Sequence, residues 1–238
     1  MMPVQNLNTP LATVALPMLS RLSDEPQRYR AAYLAIVERL AMVLAPVAAL
    51  VIAGAPAVIA LALGSQWGEA APILAWLGAA LLYMPVTYTL SWLYMSQDRT
   101  SEMLRANAIN VTLTLVAIFA ALPFGVEAIA ATFVVTGALI RSPFVCWYVA
   151  RSGPIRFKDF GRIFLLPVLA TGAGVALIEG ASELQAVADL SAFATFLLFA
   201  GISAAGALAV YGAAPHGRRV ILETLQMRRH LMRQEAQA

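Results

Sequence analysis

One arginine interrupts a long apolar stretch and is the residue best placed for binding chemistry. Arg141 lies within the apolar run 128–149, and a charge at the centre of a membrane helix costs about 2.5–3.5 kcal/mol on insertion scales. Such a charge usually faces a cavity or a partner, and a guanidinium can bind phosphate oxygens through two parallel hydrogen bonds. Alternatively, the side chain snorkels toward the helix end near Arg151, about 15 Å away along the axis. The sequence leaves both interpretations open.

Uncharged polar side chains occur in two neighbouring apolar stretches. Asn107 and Asn110 are three residues apart, so they share one face of a helix and can offer hydrogen bonds together. Tyr88 lies in a cluster of hydroxyl side chains that also includes Thr87, Thr89 and Ser91. We take Asn107, Asn110 and Tyr88, with Arg141, as candidate binding residues. The alternative role for these groups is hydrogen bonding between membrane helices.

The residue types that enzymes need are scarce. His216 and His230 lie outside the apolar stretches, Lys158 is the single lysine, and Cys146 is the single cysteine. The chain has no HExxH, CxxC or P-loop motif, and each of these motifs carries a defined metal, redox or phosphate chemistry. We therefore predict that the protein is not an enzyme, and that it needs no metal and no cofactor.

Composition indicates an integral membrane protein. Apolar residues make up 61% of the chain and charged residues 12%, with a mean hydropathy of +0.76, whereas soluble domains carry about 25% charged residues. We predict an all-α polytopic helix bundle with a partial N-terminal helix at 11–19. Six spans are predicted, at 41–63, 70–95, 106–122, 128–149, 163–178 and 190–212.

Charge distribution predicts the topology. Outside Arg141, every Lys and Arg falls before the first span, between spans two and three, between spans four and five, or after the sixth. Loops rich in these residues stay in the cytoplasm. Residue 20 and the basic tail 217–238, which follows the membrane domain 1–216, are therefore predicted to be cytoplasmic. The basic residues are then partners for membrane lipids, and no nucleic acid is expected.

Two segments at the cytoplasmic side allow more than one interpretation. Pro26 follows Asp24 and Glu25, which is typical of a helix start. The helix that follows is predicted either to lie at the membrane interface or to be a plain extension of the first span. The tail 217–238 is predicted to be solvated, with an alternative position on the inner leaflet.

Several short motifs resemble a known family. They are Pro17-Met18-Leu19-Ser20-Arg21-Leu22, Leu63-Gly64-Ser65-Gln66-Trp67-Gly68-Glu69-Ala70, Gln97-Asp98-Arg99, and Ile140-Arg141-Ser142-Pro143 followed by Trp147 and Arg151-Ser152-Gly153-Pro154. As a set, over about residues 3–165, they resemble the C-terminal lobe of bacterial polysaccharide flippases, which belong to the multidrug/oligosaccharidyl-lipid/polysaccharide exporter superfamily.

The resemblance implies export of polyprenyl-pyrophosphate-linked oligosaccharide across the bacterial inner membrane, driven by an ion gradient or the membrane potential. Arg141 would then help to hold the pyrophosphate, while Asn107 and Asn110 offer hydrogen bonds to the headgroup or sugar. The N-terminal lobe of such flippases has no counterpart here, so the chain is expected to act with a separate lobe, or with polymerase or glycosyltransferase partners, and not alone.

Two other functions are compatible with the sequence. The chain is either a drug or lipid exporter of the same superfamily, or a membrane scaffold or inert remnant that transports nothing. Neighbouring glycosyltransferase and polymerase genes would favour the flippase, whereas an upstream partial gene in frame would favour a truncated product.

We predict that the C-terminus is cytoplasmic, because Arg218, Arg219, Arg228, Arg229 and Arg233 follow the last span closely and basic segments are retained inside. A phosphatase that is active only in the periplasm, fused after Ala238, is expected to be silent. High phosphatase activity would reverse the topology.

Overall fold

Long apolar runs form helices throughout the part of the chain that the structure describes, which is residues 13, 15–188 and 190–224. This computed structural model contains no strand within those ranges, which confirms the all-α prediction. The helices are α1 (Pro26–Ala53), α2 (Ala55–Ala62), α3 (Ala71–Ala80), α4 (Met84–Ser96), α5 (Thr100–Ala121), α6 (Val126–Thr136), α7 (Ser142–Ala150), α8 (Phe157–Ser182), α9 (Gln185–Ala188) and α10 (Ala192–Ala213). Shorter turns are the 3₁₀ helices Ser65–Ala70 and Leu122–Phe124 and the π-helical turn Gly137–Arg141.

Within the described residues, five helical segments are long and apolar enough to cross a membrane: Pro26–Ala53, Thr100–Phe124, Val126–Ala150, Phe157–Ser182 and Ala192–Ala213. A sixth span forms if Ser65–Ala80 and Met84–Ser96 are counted together, since these segments meet at a 45° bend. The chain is therefore a multi-pass membrane protein, as predicted. Of the predicted partial helix at 11–19, residues 13 and 15–19 are helical, and the rest lies outside the described residues.

The first span differs from its predicted bounds of 41–63. Helix α1 runs without a break from Pro26 to Ala53, so the segment after Pro26 is an extension of the span and not a separate interfacial helix. The helix breaks at Gly54. A Cβ added at this position would lie 2.6 Å from the Leu50 carbonyl oxygen. Pro56 follows at the second position of α2, where its missing N–H costs nothing.

The chain divides into two compact units. The first comprises Met1–Val37 and Tyr83–Arg162, and the second comprises Glu38–Leu82 and Ile163–Ala238. Two of the three boundaries fall inside the continuous helices α1 and α8. The predicted division at 216/217 falls within the helical stretch 215–224, and the separation of a membrane domain from a tail stays a prediction.

In the first unit, two buried tyrosines of α1 bond to hydroxyl groups of α4. The Tyr29 hydroxyl lies 2.6 Å from Ser96 Oγ, and the Tyr33 hydroxyl lies 2.9 Å from Thr89 Oγ1. Thr89 also donates to the Pro85 carbonyl at 2.8 Å, so it accepts from Tyr33. Hydrogen bonds of this kind between membrane helices contribute about 0.6 kcal/mol on average. They match the alternative role given above to the hydroxyl cluster of this helix.

In the second unit, small residues allow α1, α8 and α10 to approach closely. A Cβ added to Gly174 of α8 would lie 2.6 Å from Ala49 Cβ and 3.6 Å from Ser203 Cα. One turn away, Thr171 donates its hydroxyl to the Ala45 carbonyl at 3.0 Å. Backbones that approach this closely gain van der Waals contact, which drives helix association in lipid.

The start of the predicted tail is helical over 217–224, with one side packed within the second unit and Arg218, Arg219 and Glu223 exposed. The solvated and inner-leaflet positions of the tail both stay predictions. Val220 is buried and Ile221 packs on the core around Tyr211. His216 Nε2 lies 3.1 Å from Glu38 Oε1, at the start of this stretch. Residues 225–238 lie outside the described residues.

Two glycines of α8 give a matched test of this packing. We expect Gly174→Ala to lower the thermal unfolding temperature of the purified protein in detergent, because overpacking typically costs about 1–3 kcal/mol. Gly172→Ala is the control, because no atom lies within 4 Å of its added Cβ and alanine favours helix. Equal unfolding temperatures for the two variants would contradict the close approach of α1 and α8.

Candidate anion-binding site

A cavity of about 250 Å³ lies within the first unit, and all four candidate binding residues line it. Tyr88 comes from α4, Asn107 and Asn110 come from α5, and Arg141 ends the π-helical turn. The structure thus brings together side chains that are up to 53 positions apart in the chain. Whether they bind a ligand stays a prediction.

The contribution of α5 follows from helical spacing. Met103, Asn107 and Asn110 all line the cavity, and Thr114 continues the same face one turn further on. Asn107 is exposed and Asn110 is half-buried. Together with Tyr88, whose exposed fraction is 41%, Asn107 leaves one side of the cavity accessible.

Arg141 is buried, with 7% of its surface exposed. Its guanidinium makes three contacts, with Thr114 and Phe133. Nη1 donates to Thr114 Oγ1 at 2.8 Å, and Nη2 donates to the Phe133 carbonyl at 2.5 Å. The guanidinium carbon also lies 4.4 Å from the centroid of the Phe133 ring, within the range of a cation–π contact. These contacts hold the charge in place inside a mostly apolar unit.

The direction of this side chain bears on the two interpretations of Arg141. The guanidinium contacts a carbonyl eight residues earlier in the chain, whereas Arg151 lies ten residues later. Side chains on helices lean toward the N-terminal end, and here that direction leads away from the basic loop. The geometry does not fit snorkelling toward Arg151.

The π-helical turn Gly137–Arg141 shapes this part of the cavity. The Ser142 N–H bonds to the Gly137 carbonyl, five residues earlier, and Pro143 follows without an N–H. Gly137 leaves room for the guanidinium, because an added Cβ would lie 2.8 Å from Arg141 Nη2 and would also collide with the Tyr83 hydroxyl. Such π turns occur frequently at functional sites.

Four buried polar atoms around the cavity have no hydrogen-bond partner among the described residues: Arg141 Nε, Ser142 Oγ, and the hydroxyl oxygens of Tyr83 and Tyr94. The Tyr83 hydroxyl and the Arg141 guanidinium both lie beside Gly137. Leaving a buried polar group unpaired costs about 1–3 kcal/mol. Three hydroxyls and one guanidinium N–H therefore offer unused hydrogen bonds to a polar ligand or to water.

Sequence reasoning missed several of these residues. Thr114 carries a signal in retrospect, because it lies four residues after Asn110 and seven after Asn107 on the same helix face. Ser142 is next to Arg141 and Tyr83 precedes the hydroxyl cluster, but nothing in the sequence indicates that they meet. The structure shows no group of His, Cys, Asp and Glu side chains suited to a metal within the residues it describes.

Comparison with known proteins finds a family match for the first part of the chain. Residues 1–72 match the family of polysaccharide biosynthesis proteins. This match confirms the family resemblance over the segment that contains the Pro17–Leu22 and Leu63–Ala70 motifs. No curated protein and no solved structure matches the chain. The cavity residues lie beyond residue 72, so the match to polysaccharide biosynthesis proteins does not extend to them.

The resembling motifs mark turns in the structure. Gly64 has φ of +95° between α2 and the 3₁₀ helix that follows, a conformation that favours glycine. Asp98 has φ of +54° in the turn between α4 and α5, and aspartate tolerates this conformation better than most residues. Beside it, Arg99 bonds to Glu102 at 2.7 Å and reaches the Val149 carbonyl at 3.4 Å.

We expect Thr114→Val to lower the stability of the protein by roughly 1 kcal/mol, since the Arg141 guanidinium loses a buried acceptor. Thr114→Ser keeps the hydroxyl and is expected to retain most of that stability. Thr112→Val is the matched control, because Thr112 is exposed and its hydroxyl bonds to its own helix at Ala108. Thermal unfolding in detergent measures all three, and equal losses for the two valine variants would exclude the contact.

Proposed function

We propose that this protein takes part in the export of lipid-linked oligosaccharide, as the part of a flippase that binds the anionic headgroup of the lipid carrier. The match of residues 1–72 to polysaccharide biosynthesis proteins supports a role in polysaccharide synthesis or export. The apolar spans support a membrane location, which we take to be the bacterial inner membrane with a cytoplasmic C-terminus. In this proposal the protein has no enzymatic activity of its own.

The observation that carries the proposal is the buried guanidinium of Arg141. It lies in the span Val126–Ala150, nine residues from the span's end, which is about 14 Å along the axis and near the middle of a hydrocarbon core of about 30 Å. A charge at this depth is costly and usually serves a ligand or a transport path. Its free Nε and the unpaired hydroxyls beside it are donors that suit an anionic oxygen-rich group.

The volume of the cavity indicates which part of the substrate it can hold. About 250 Å³ falls below the usual range for drug-sized ligands, about 300–1,000 Å³, so the cavity suits a headgroup and not an oligosaccharide. A polyprenyl diphosphate presents its charged groups between lipid and sugar. Asn107, Asn110 and Tyr88, at the accessible side, would then bond to the diphosphate or to the first sugar.

Transport in this proposal requires a second lobe. Alternating access works by one bundle rocking against another around a shared site, and the resemblance to the C-terminal lobe of flippases implies that the other bundle comes from a separate segment, chain or copy. Polymerases and glycosyltransferases are the further partners that such an export system would use.

We predict that Arg141→Leu weakens the binding of a fluorescent polyprenyl diphosphate to the purified full chain by about 10- to 100-fold, because a hydrogen bond to a charged group contributes about 1.5–3 kcal/mol. Arg141→Lys is expected to restore only part of the affinity, since the charge is kept but the two-pronged geometry is lost. The neutral polyprenol is expected to bind the parent and all variants equally weakly.

Arg151→Leu is the control for this test. Its guanidinium is exposed and lies 5.2 Å from the Trp147 ring, outside the cavity, so binding of the diphosphate should be unchanged. Equal affinity of Arg141→Leu and the parent protein would show that the diphosphate does not bind in this cavity and that Arg141 is a structural residue.

A further inference from the structure

We propose that a second site, in a groove at the end of α1, binds the phosphodiester headgroup of an anionic membrane phospholipid. The groove has a volume of about 580 Å³ and lies wholly within the first unit. It is separate from the Arg141 cavity, with which it shares no lining residue. This site does not depend on the proposed export function.

The groove combines charged and apolar walls. Arg30 and Gln27 face it from α1, and Arg156 faces it from the segment that leads into α8. The remaining lining residues are apolar or backbone: Pro26, Ala31, Leu34, Gly153 and Pro154. A phospholipid has the same division, because a glycerol unit joins its charged phosphate to apolar acyl chains.

Arg30 is held in position by Asp159. Its Nε donates to Asp159 Oδ2 at 2.7 Å, and its Nη2 contacts Asp159 Oδ1. The aspartate is also bonded to the Arg156 backbone N–H at 2.9 Å, so three groups fix it at the start of α8. With the Nε–Nη2 edge of the guanidinium occupied, the Nη1 group of Arg30 is left to bond to a ligand in the groove.

Arg156 supplies a positive charge to the groove, since the charge of Arg30 is paired with Asp159. The Arg156 side chain is exposed. Its guanidinium forms none of the salt bridges of the described residues, and its charge also acts on Asp159. The two arginines and Asp159 together carry one net positive charge. This balance matches a single phosphodiester, which carries one negative charge.

Depth in the membrane favours a lipid over a free anion. Helix α1 has 28 residues, about 42 Å of length, which exceeds a hydrocarbon core of about 30 Å. All charged residues of α1 lie in its first half, so we place its first turns, which include Arg30, at the level of the headgroups. Leu34 lies one turn deeper along α1, so the apolar wall of the groove continues toward the lipid chains.

The test measures binding of fluorescent phosphatidylglycerol and phosphatidylcholine to the full chain in a neutral detergent. We expect phosphatidylglycerol to bind at least about five-fold more tightly, and Arg156→Gln to remove that preference, because one arginine near an anionic lipid contributes about a factor of five. Ala31→Trp fills the groove from an exposed position. It is expected to weaken the binding of phosphatidylglycerol without changing any charge.

Lys158→Gln is the matched control, because Lys158 is exposed two residues from Arg156 and does not line the groove. It should keep the preference for phosphatidylglycerol. Equal binding of the two lipids to the parent protein would overturn the proposal. So would binding of phosphatidylglycerol by both Arg156→Gln and Ala31→Trp as tightly as by the parent protein. Inorganic phosphate is added as a competitor, and if it displaces the lipid at equal concentration the groove binds a free anion instead.

Discussion

The bonds of the Arg141 guanidinium to Thr114 and Phe133 are the constraint on which the first unit depends. A charge in an apolar unit must be paired with polar groups, and here one acceptor is a hydroxyl on α5 and the other is a carbonyl on α6. Thr114 serves two partners, since it also donates its hydroxyl to the Asn110 carbonyl at 2.7 Å. Helix α5, which carries Asn107 and Asn110, is thereby coupled to Arg141. Gly137 is needed to leave space for the guanidinium and for the Tyr83 hydroxyl.

Much of the fold could be predicted because hydropathy and charge act on whole stretches of chain. The predicted spans 106–122, 128–149 and 163–178 all lie within apolar helices of the structure, and the predicted span 190–212 begins two residues before its helix. Breaks were harder to predict, because they depend on contacts between helices. Pro46 and Pro167 lie inside continuous helices, whereas the break after Ala53 occurs at Gly54. In the tail, the packing of Val220 depends on residues distant in the chain, so composition alone indicated solvent.

The candidate site shows the same division between local and distant information. Arg141 is evident from the cost of its charge, and the two asparagines are evident from their spacing on one helix face. By sequence, Tyr94 lies at the end of the predicted span 70–95, Tyr83 lies inside that span, and Ser142 is a small polar residue before a proline. Their hydroxyls border the cavity only because α4 and α7 pack together. Such approaches are decided by tertiary packing, which no pattern within a single helix reports.

The π-helical turn also changes how the span Val126–Ala150 must be drawn. A π turn accommodates one residue more than an α-helix does, and one residue corresponds to a rotation of about 100° around the axis. Residues before Gly137 and residues after Arg141 therefore belong on two helical wheels, offset by that angle. On a single wheel, Val134 and Cys146, which are both buried, would be assigned to the wrong relative faces. With the offset applied, both buried residues fall on nearly one face, so the buried side of this span continues past the arginine.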